Sequence, residues 1–420
     1  MTMEHLKERL LQGKTDLLTF LRWVVFSLII GVVVGGVGIL FHYSIEIAGT
    51  WRMGHPWLLY LLPLGGLAIV LMYRLCGMEK DRGTNFVLMA VRGNEKLPLK
   101  TAPLIFISTV ITHLFGGSSG REGAALQLGG SISAQIGRWM RLDDKDARII
   151  TMCGMSAAFS ALFGTPLTAT VFSMEVISVG VMYYSAIVPC LLSSLTGAWL
   201  AARFAVAPTQ FVMTGVPELS LLPALQTIGL AALCALLSVL FCVVMQLFRV
   251  LYQRYIKNPY LIALTGGGLI IALTLLTGTG DYNGTGMQVI ARALGGEARP
   301  EAFALKMLFT AVTLGASFKG GEIIPVFFCG ATFGNVMGGL LGLNPSFGAG
   351  LGLAAVFCGV TNCPLTSIIL GLELFGADGI LYVALAVAVS YMLSGYYSLY
   401  SEQKILYSKL RPEFIDKKAE

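Results

Sequence analysis

The chain has 420 residues, of which 55% are hydrophobic and only 12% are charged, about half the charged share of a soluble globular protein. Its mean hydropathy is +0.76, and this composition excludes an ordinary soluble enzyme. The formal charge is +6, but the basic residues are scattered through the termini and short loops, so we expect no nucleic-acid-binding face.

Residues 1–19 carry charges of both signs and precede the first apolar run. They lack a small-residue cleavage site, so we predict a cytoplasmic amphipathic helix at 1–19 rather than a signal peptide. Basic residues lie on both flanks of the apolar region, and by the positive-inside rule they predict that both termini are cytoplasmic. These residues are Lys7, Arg9, Lys14, Lys404, Lys409, Arg411, Lys417 and Lys418.

Apolar runs without Asp, Glu, Lys or Arg predict membrane-spanning helices. Several are long enough to cross about 30 Å of hydrocarbon, for which roughly 20 helical residues suffice. No alternation of apolar and polar residues of the kind found in barrel strands is present. The sequence therefore predicts an all-α polytopic membrane protein. The runs are 23–41, 176–202, 219–248, 258–280 and 323–372.

Two parts of the sequence repeat. Residues 155–176 align without a gap to residues 353–374, at an offset of 198. Upstream, Glu122 aligns with Glu322 at an offset of 200, each after a glycine-rich loop with a basic residue. Repeats of this kind are typical of transporters whose site lies between the two halves.

The repeat predicts a chain of two halves with little else. We place the first membrane half at 20–248, a basic linker at 249–257, the second half at 258–402 and a short cytoplasmic tail at 403–420. The tail is too short for a cytoplasmic regulatory domain.

Three loops that contain glycine interrupt the apolar region: DRGTNFVLMAV at 81–91, GGSSGREGAALQLGG at 116–130 and SFKGGEIIP at 317–325. Non-helical backbone at membrane depth is tolerated only where protein buries it or where it lines a wet cavity. Each loop leads into a run that can form a helix, and the free N–H groups at a helix N-terminus bind anions. The three loops therefore predict an anion site.

The motifs Gly120-Arg121-Glu122-Gly123 and Gly321-Glu322-Ile323-Ile324-Pro325 resemble those of the CLC family of chloride channels and proton-coupled anion transporters. The resemblance covers about residues 20–402. It implies an inverted repeat with broken and re-entrant helices, and a homodimer in which each subunit has its own anion path. The implied partners are a small inorganic anion (fluoride or chloride), protons and the lipid bilayer, without a cofactor or metal.

Departures from the chloride-type motifs resemble the fluoride-exporting bacterial branch of the family. The usual Gly-Ser-Gly-Ile-Pro loop is replaced by residues 83–87 (GTNFV), and Val176 replaces the inner glutamate of proton-coupled chloride exchangers. Ile324 departs from the threonine usual in that branch. The resemblance implies a fluoride/proton antiporter of the bacterial inner membrane; the alternative is a chloride channel or chloride/proton exchanger. Motifs of a membrane-embedded enzyme are not found in the sequence.

Glu122 is a candidate functional residue, because an ionisable side chain at membrane depth is costly, and the resemblance to the CLC family implies that it gates the site and carries the proton; the alternative is a helix cap. Tyr400 matches a family tyrosine whose hydroxyl donates to the central anion, although an interfacial aromatic is the alternative. Glu175 and Glu373 lie at equivalent repeat positions, for which we favour structural roles. For Phe86, core packing is an equal alternative to anion binding, and for Glu322 the alternative is a structural helix cap. The other candidate anion-binding residues are Gly83, Thr84, Asn85, Phe86, Gly120, Arg121, Gly123, Gly321, Glu322, Ile323 and Ile324.

Overall fold

The computed structural model describes residues 3–93 and 95–420. In this part of the chain, sixteen α-helices form two series of eight. The first series is α1 (Met3–Gly54), α2 (Leu62–Leu75), α3 (Thr84–Val91), α4 (Thr101–Leu114), α5 (Glu122–Trp139), α6 (Asp144–Phe163), α7 (Pro166–Glu175) and α8 (Ile187–Arg203). The second is α9 (Leu221–Tyr255), α10 (Pro259–Thr277), α11 (Met287–Leu294), α12 (Ala302–Gly315), α13 (Ile323–Leu340), α14 (Pro345–Thr361), α15 (Pro364–Phe375) and α16 (Ile380–Leu393). The predicted helical membrane fold is confirmed.

The architecture combines long helices with short ones. Six helical segments of the described residues are long and apolar enough to cross a membrane: 11–54, 56–75, 184–203, 221–255, 259–277 and 323–340. Five more apolar helices have 10 to 17 residues, too few for a full crossing of about 30 Å at 1.5 Å per residue in most cases. These short helices are the broken and re-entrant elements that the family resemblance implies.

Corresponding helices of the two series have similar lengths and end in similar ways. Helices α3 and α11 have 8 residues each, α4 and α12 have 14 each, and α5 and α13 have 18 each. Helices α6 and α14 both end in the left-handed conformation, at Gly164 (φ +68°) and Asn362 (φ +58°). A proline then begins α7 and α15. The aligned segments at an offset of 198 thus adopt the same structure.

The predicted boundary between the halves is wrong. Residues 249–255 form the last turns of α9, so the predicted linker at 249–257 is mostly helix. Because α9 is the counterpart of α1, the second half begins at Leu221 and the connection between halves lies between Arg203 and Leu221. The charged residues that begin at Arg249 therefore belong to the helix and do not mark its end.

The predicted register of the upstream repeat is wrong by one residue. Gly120 and Gly321 exchange backbone hydrogen bonds across the two halves, which gives an offset of 201. Helices α5 and α13 start at Glu122 and Ile323, at the same offset. Glu322 is therefore not the counterpart of Glu122, because it lies one residue earlier, outside the helix.

The N-terminal segment is not a separate element. Residues 3–19 belong to α1, which runs to Gly54 without a break; residues 1 and 2 lie outside the described chain. The expectation of a distinct helix at 1–19 is therefore corrected. Between residues 3 and 23 the sequence contains no proline and one glycine, Gly13, so nothing stops the helix from continuing.

The tail forms a small sheet, which an all-α expectation does not include. β2 (Lys404–Tyr407) pairs in parallel with β1 (Ser178–Val179) and antiparallel with β3 (Phe414–Lys418). This sheet ties residues 404–418 to the segment that follows α7.

Candidate functional site

Glu122 lies between two helix N-termini. It is the first residue of α5, and its side chain is completely buried. Its Oε2 accepts hydrogen bonds from the backbone N–H of Arg121 at 3.1 Å and of Ile324 at 3.2 Å. Because the two donors belong to opposite halves, a single negative charge is held at the repeat interface by the positive ends of α5 and α13.

Two glycines allow these helix ends to meet. The N–H of Gly120 donates to the carbonyl of Gly321 at 2.6 Å, and the N–H of Gly321 donates to the carbonyl of Gly120 at 2.8 Å. A Cβ on Gly321 would lie 2.8 Å from the backbone nitrogen of Glu122, and a Cβ on Gly120 would collide with the carboxylate. The backbone approach at the site therefore requires both glycines.

A third helix N-terminus joins them from the first loop. Gly83 has φ of +61° and precedes Thr84, the first residue of α3. The Thr84 hydroxyl donates to the carbonyl of Gly123 at 3.3 Å. The Gln127 amide, one turn along α5, donates to the same carbonyl at 3.1 Å and to the Thr84 oxygen at 3.4 Å. Gln127 thus connects the first and second loops, a role that the sequence analysis missed.

A cavity of about 810 Å³ leads to this junction. The predicted residues that line it are Gly83, Thr84, Asn85, Glu322 and Tyr400. The ring of Tyr400 is buried, and within the described chain its hydroxyl has no hydrogen-bond partner. A buried hydroxyl without a partner is costly, so this O–H group can donate to a molecule that enters the cavity.

Charged side chains surround the cavity. Lys319 donates to Asp81 at 3.1 Å and lies 4.4 Å from the centre of the Tyr73 ring. Arg249 also lines the cavity, so a residue predicted to lie in the linker belongs to the wall of the candidate anion path. Basic groups along a cleft raise the local concentration of anions.

Two of the predicted residues, Arg121 and Ile324, contribute a backbone N–H group to the site rather than a side chain. The guanidinium of Arg121 points away from Glu122, toward His42 Nδ1 at 2.8 Å and the carbonyl of Leu162 at 3.3 Å. Only the Arg121 N–H reaches the carboxylate. Likewise Ile324 supplies its N–H while its side chain is buried.

Three of the predicted residues connect a loop or pack in the core: Asn85, Phe86 and Ile323. The side-chain oxygen of Asn85 accepts a hydrogen bond from the N–H of Glu402 at 3.1 Å, which ties the first loop to the segment of Tyr400. Phe86 is half-buried against the hydrophobic core and does not line the cavity. Ile323 is buried at the start of α13.

Val176 and Glu175 occupy the region in which the CLC resemblance implies a proton glutamate. Val176 is buried and its carbonyl accepts a hydrogen bond from Gln403 Nε2 at 3.0 Å. Glu175 accepts hydrogen bonds from the N–H groups of Leu365 and Thr366 at 3.1 and 2.8 Å. Glu175 therefore caps α15.

Comparison with known proteins identifies the family. A family model described as voltage gated chloride channel matches residues 64–395. The chain belongs to the CLC family. Its membrane domain is therefore a multi-pass, repeat-built transport domain, as the motifs of the three loops predict.

Relatives within the CLC family cover nearly the whole chain. A chloride/fluoride channel protein of Pseudomonas syringae pv. tomato is 35% identical over 402 residues, which cover 94% of this chain and 89% of that protein. An H(+)/Cl(-) exchange transporter of Vibrio cholerae is 24% identical, over 83% of this chain and 81% of that protein.

Solved structures of the family have the same fold. A CLC-type fluoride/proton antiporter superposes with a TM-score of 0.88 at 30% identity, over 91% of this chain and 98% of that chain. A slow cyanobacterial Cl-/H+ antiporter superposes with a TM-score of 0.75 at 18% identity, over 89% and 94%; this likeness concerns the fold alone.

Proposed function

We propose that this protein is a fluoride/proton antiporter that exports fluoride. The observation that carries the proposal is the Glu122 carboxylate, which occupies N–H donors from two opposed helix ends. A small anion would use the same donors. The similarity to a chloride/fluoride channel protein and to a fluoride/proton antiporter supports fluoride as that anion.

Exchange follows from competition for these donors. While Glu122 is charged, its carboxylate holds the N–H groups of Arg121 and Ile324, and no anion can bind there. Protonation removes the charge that the helix ends stabilise, so the neutral acid releases the donors and an anion takes its place. One proton and one anion then alternate on the same groups, which couples their movements.

The same residue serves as the proton carrier. Because Val176 stands where chloride exchangers have their inner glutamate, no carboxylate at that position can relay the proton. Glu122 can take up a proton from one side and lose it to the other, provided that its side chain reaches the cavity when it is protonated. Glu322 and Tyr400, which line the cavity, would form its surroundings there.

We place the opening of the cavity at the cytoplasmic face of a bacterial inner membrane. The cavity is lined by the end of α2, the start of α10 and residues 401–402 before the tail. The chain enters the membrane in α1 and returns in α2, so the start of α1 lies on this side as well. The basic residues of both termini support a cytoplasmic location.

We further propose a homodimer with one anion path in each subunit, on the ground of the family resemblance. Each path would be complete, because Glu122, Thr84, Glu322 and Tyr400 all belong to one chain. Chemical crosslinking of the purified protein in lipid tests the assembly: a species of twice the subunit mass is expected, and a monomer alone would contradict it.

A chloride channel or chloride/proton exchanger is the second candidate, favoured by the chloride transport in the names of several relatives. Reconstitution into liposomes with simultaneous recording of fluoride, chloride and proton fluxes separates the candidates. Fluoride-driven proton uptake supports the antiporter. Anion flux without proton movement would identify a channel.

A further inference from the structure

Gln403 is a completely buried glutamine at the start of the tail. Its Nε2 donates to the carbonyls of Val176 at 3.0 Å and Thr361 at 2.8 Å. Its Oε1 accepts from Asn362 Nδ2 and from the Ser398 hydroxyl, both at 3.0 Å. A side-chain amide has two donor hydrogens and two acceptor positions, so every one of them is used. Gln403 thereby joins the ends of α7 and α14 to the segment before Tyr400.

The hydrogen bonds of Gln403 reach Tyr400 from both directions. The N–H of Gln403 donates to the carbonyl of Tyr400 at 2.9 Å. On the other side, the Ser398 hydroxyl accepts from the N–H of Tyr400 at 3.1 Å while it donates to Gln403. The tyrosine backbone is therefore fixed before and after the ring, although the ring hydroxyl itself has no partner in the described chain.

Residues of the tail make further contacts with Gln403 and with Glu402 next to it. The N–H of Ala419, after β3, donates to the carbonyl of Gln403 at 2.9 Å. Lys418 forms an ion pair with Glu402 at 2.8 Å, and Glu402 is held by Asn85 of the first loop. The β2–β3 hairpin thus closes over the residues that follow Tyr400.

We infer that Gln403 is a positioning residue for the anion site, which sets the place of the Tyr400 hydroxyl through Ser398 and through its own backbone. This inference rests on the proposed function, because it takes Tyr400 to donate to the transported anion. A fully satisfied buried network is rigid, and a donor must be held to within about 0.5 Å of its productive place. Gln403 acts on the anion through Tyr400 and does not touch it.

The test uses Gln403→Met, which keeps the length of the side chain and removes the four hydrogen bonds of its amide group, while the backbone hydrogen bonds of residue 403 remain. Gln226→Met is the matched control, since the Gln226 amide also donates to a carbonyl beyond a helix end, that of Leu341 at 2.8 Å, and does not line the cavity. We expect the half-saturating fluoride concentration in liposomes to rise about tenfold, equivalent to about 1.4 kcal/mol, in Gln403→Met. We expect no change in Gln226→Met.

A double-mutant cycle separates positioning from a general loss of stability. In a Tyr400→Phe background the hydroxyl is already absent, so Gln403→Met should raise the half-saturating concentration no further. An additive rise in that background would overturn the inference, as would an unchanged value in Gln403→Met itself.

Ser398→Ala is a milder second variant, which cuts the side-chain link between Gln403 and Tyr400. If Gln403→Met does not fold, Ser398→Ala decides: a rise of at least threefold supports the inference and a wild-type value overturns it. A wild-type protein that carries chloride in place of fluoride would refute the fluoride proposal, and the same cycle measured with chloride would still test Gln403.

Discussion

Glu175 caps the N-terminus of α15, and Glu373 caps the N-terminus of α7. The Glu175 carboxylate, at the end of α7, accepts from the N–H groups of Leu365 and Thr366 in the first turn of α15. Glu373, near the end of α15, accepts from two N–H groups in the first turn of α7, at 2.9 and 2.8 Å. The exchange follows the approximate two-fold symmetry of the repeat, and it gives both carboxylates a structural role at the junction of the halves.

Removal of either cap should destabilise the protein without uncoupling it. Glu373→Ala leaves two N–H groups of α7 without partners, and we expect a loss of about 1–3 kcal/mol in the free energy of unfolding. Thermal unfolding in detergent measures the change. Glu79→Ala, at an exposed side chain, serves as the control and should leave the midpoint unchanged; an equal midpoint in Glu373→Ala would contradict the capping role.

Glu122→Gln should abolish proton coupling. The amide cannot alternate between a charged competitor for the helix ends and a neutral acid, so we expect anion flux to lose its link to proton movement. Proton uptake driven by a fluoride gradient is the measurement. Glu175→Gln is the control, in which coupling should persist; gradient-driven proton uptake that survived in Glu122→Gln would exclude Glu122 as the proton carrier.

Gly120→Ala should eliminate transport. The added methyl group would collide with the Glu122 carboxylate, which must then leave its place between the two helix ends, and it would lie 3.1 Å from the carbonyl oxygen of Gly321, so the paired loops must shift as well. Gly36→Ala in α1 is the matched control, because no atom lies within 4 Å of its added Cβ. Flux assays in liposomes should show loss of activity only in Gly120→Ala, and wild-type flux in that variant would show that the close approach of the loops is not required.

The fold, and the loops that form the candidate site, could be predicted because they depend on local sequence patterns. Charge-free runs mark the spans, and glycines with a charged residue mark the loops at which Glu122 and Gly83 lie. The segment match at an offset of 198 fixes equivalent turns, since Gly164 and Asn362 adopt the same conformation.

What could not be predicted depends on contacts between distant residues. No sequence motif distinguishes Gln127 and Gln403 from other polar residues. Their roles depend on hydrogen-bond partners that are distant in the sequence and that the fold brings close. The shift of one residue between Glu122 and its counterpart follows from the Gly120–Gly321 pairing, which the alignment of glutamates obscured. Arg249 falls in the predicted linker although it lies within α9, because a charged residue in the sequence does not show where a helix ends.

Tyr400→Phe should weaken anion binding while the protein remains folded. The substitution removes a hydroxyl that has no partner within the described chain, so no intramolecular hydrogen bond is lost. We expect the half-saturating anion concentration to rise by about tenfold or more, since a hydrogen bond to a charged group contributes about 1.5–3 kcal/mol. Tyr397→Phe is the control; equal half-saturation in wild type and Tyr400→Phe would remove the hydroxyl from the site.

Fluoride should be preferred over chloride. The donors of Arg121 and Ile324 lie 3.1 and 3.2 Å from one carboxylate oxygen, and the Gly120–Gly321 pairing holds the loops that carry them. Fluoride is close in size to an oxygen atom, so it can replace that oxygen without moving the loops, whereas the larger chloride must push them apart.

A small anion also demands close donors, because they must offset a large loss of hydration. Selectivity is the difference between the two binding free energies, and a preference of about a hundredfold requires only about 2.8 kcal/mol. Fluxes of each anion from equal concentrations, measured in liposomes of the same preparation, check the prediction. Chloride transported as fast as fluoride would show that the loops yield to the larger ion, while the helix-end site and the role of Glu122 would remain to be judged by Glu122→Gln.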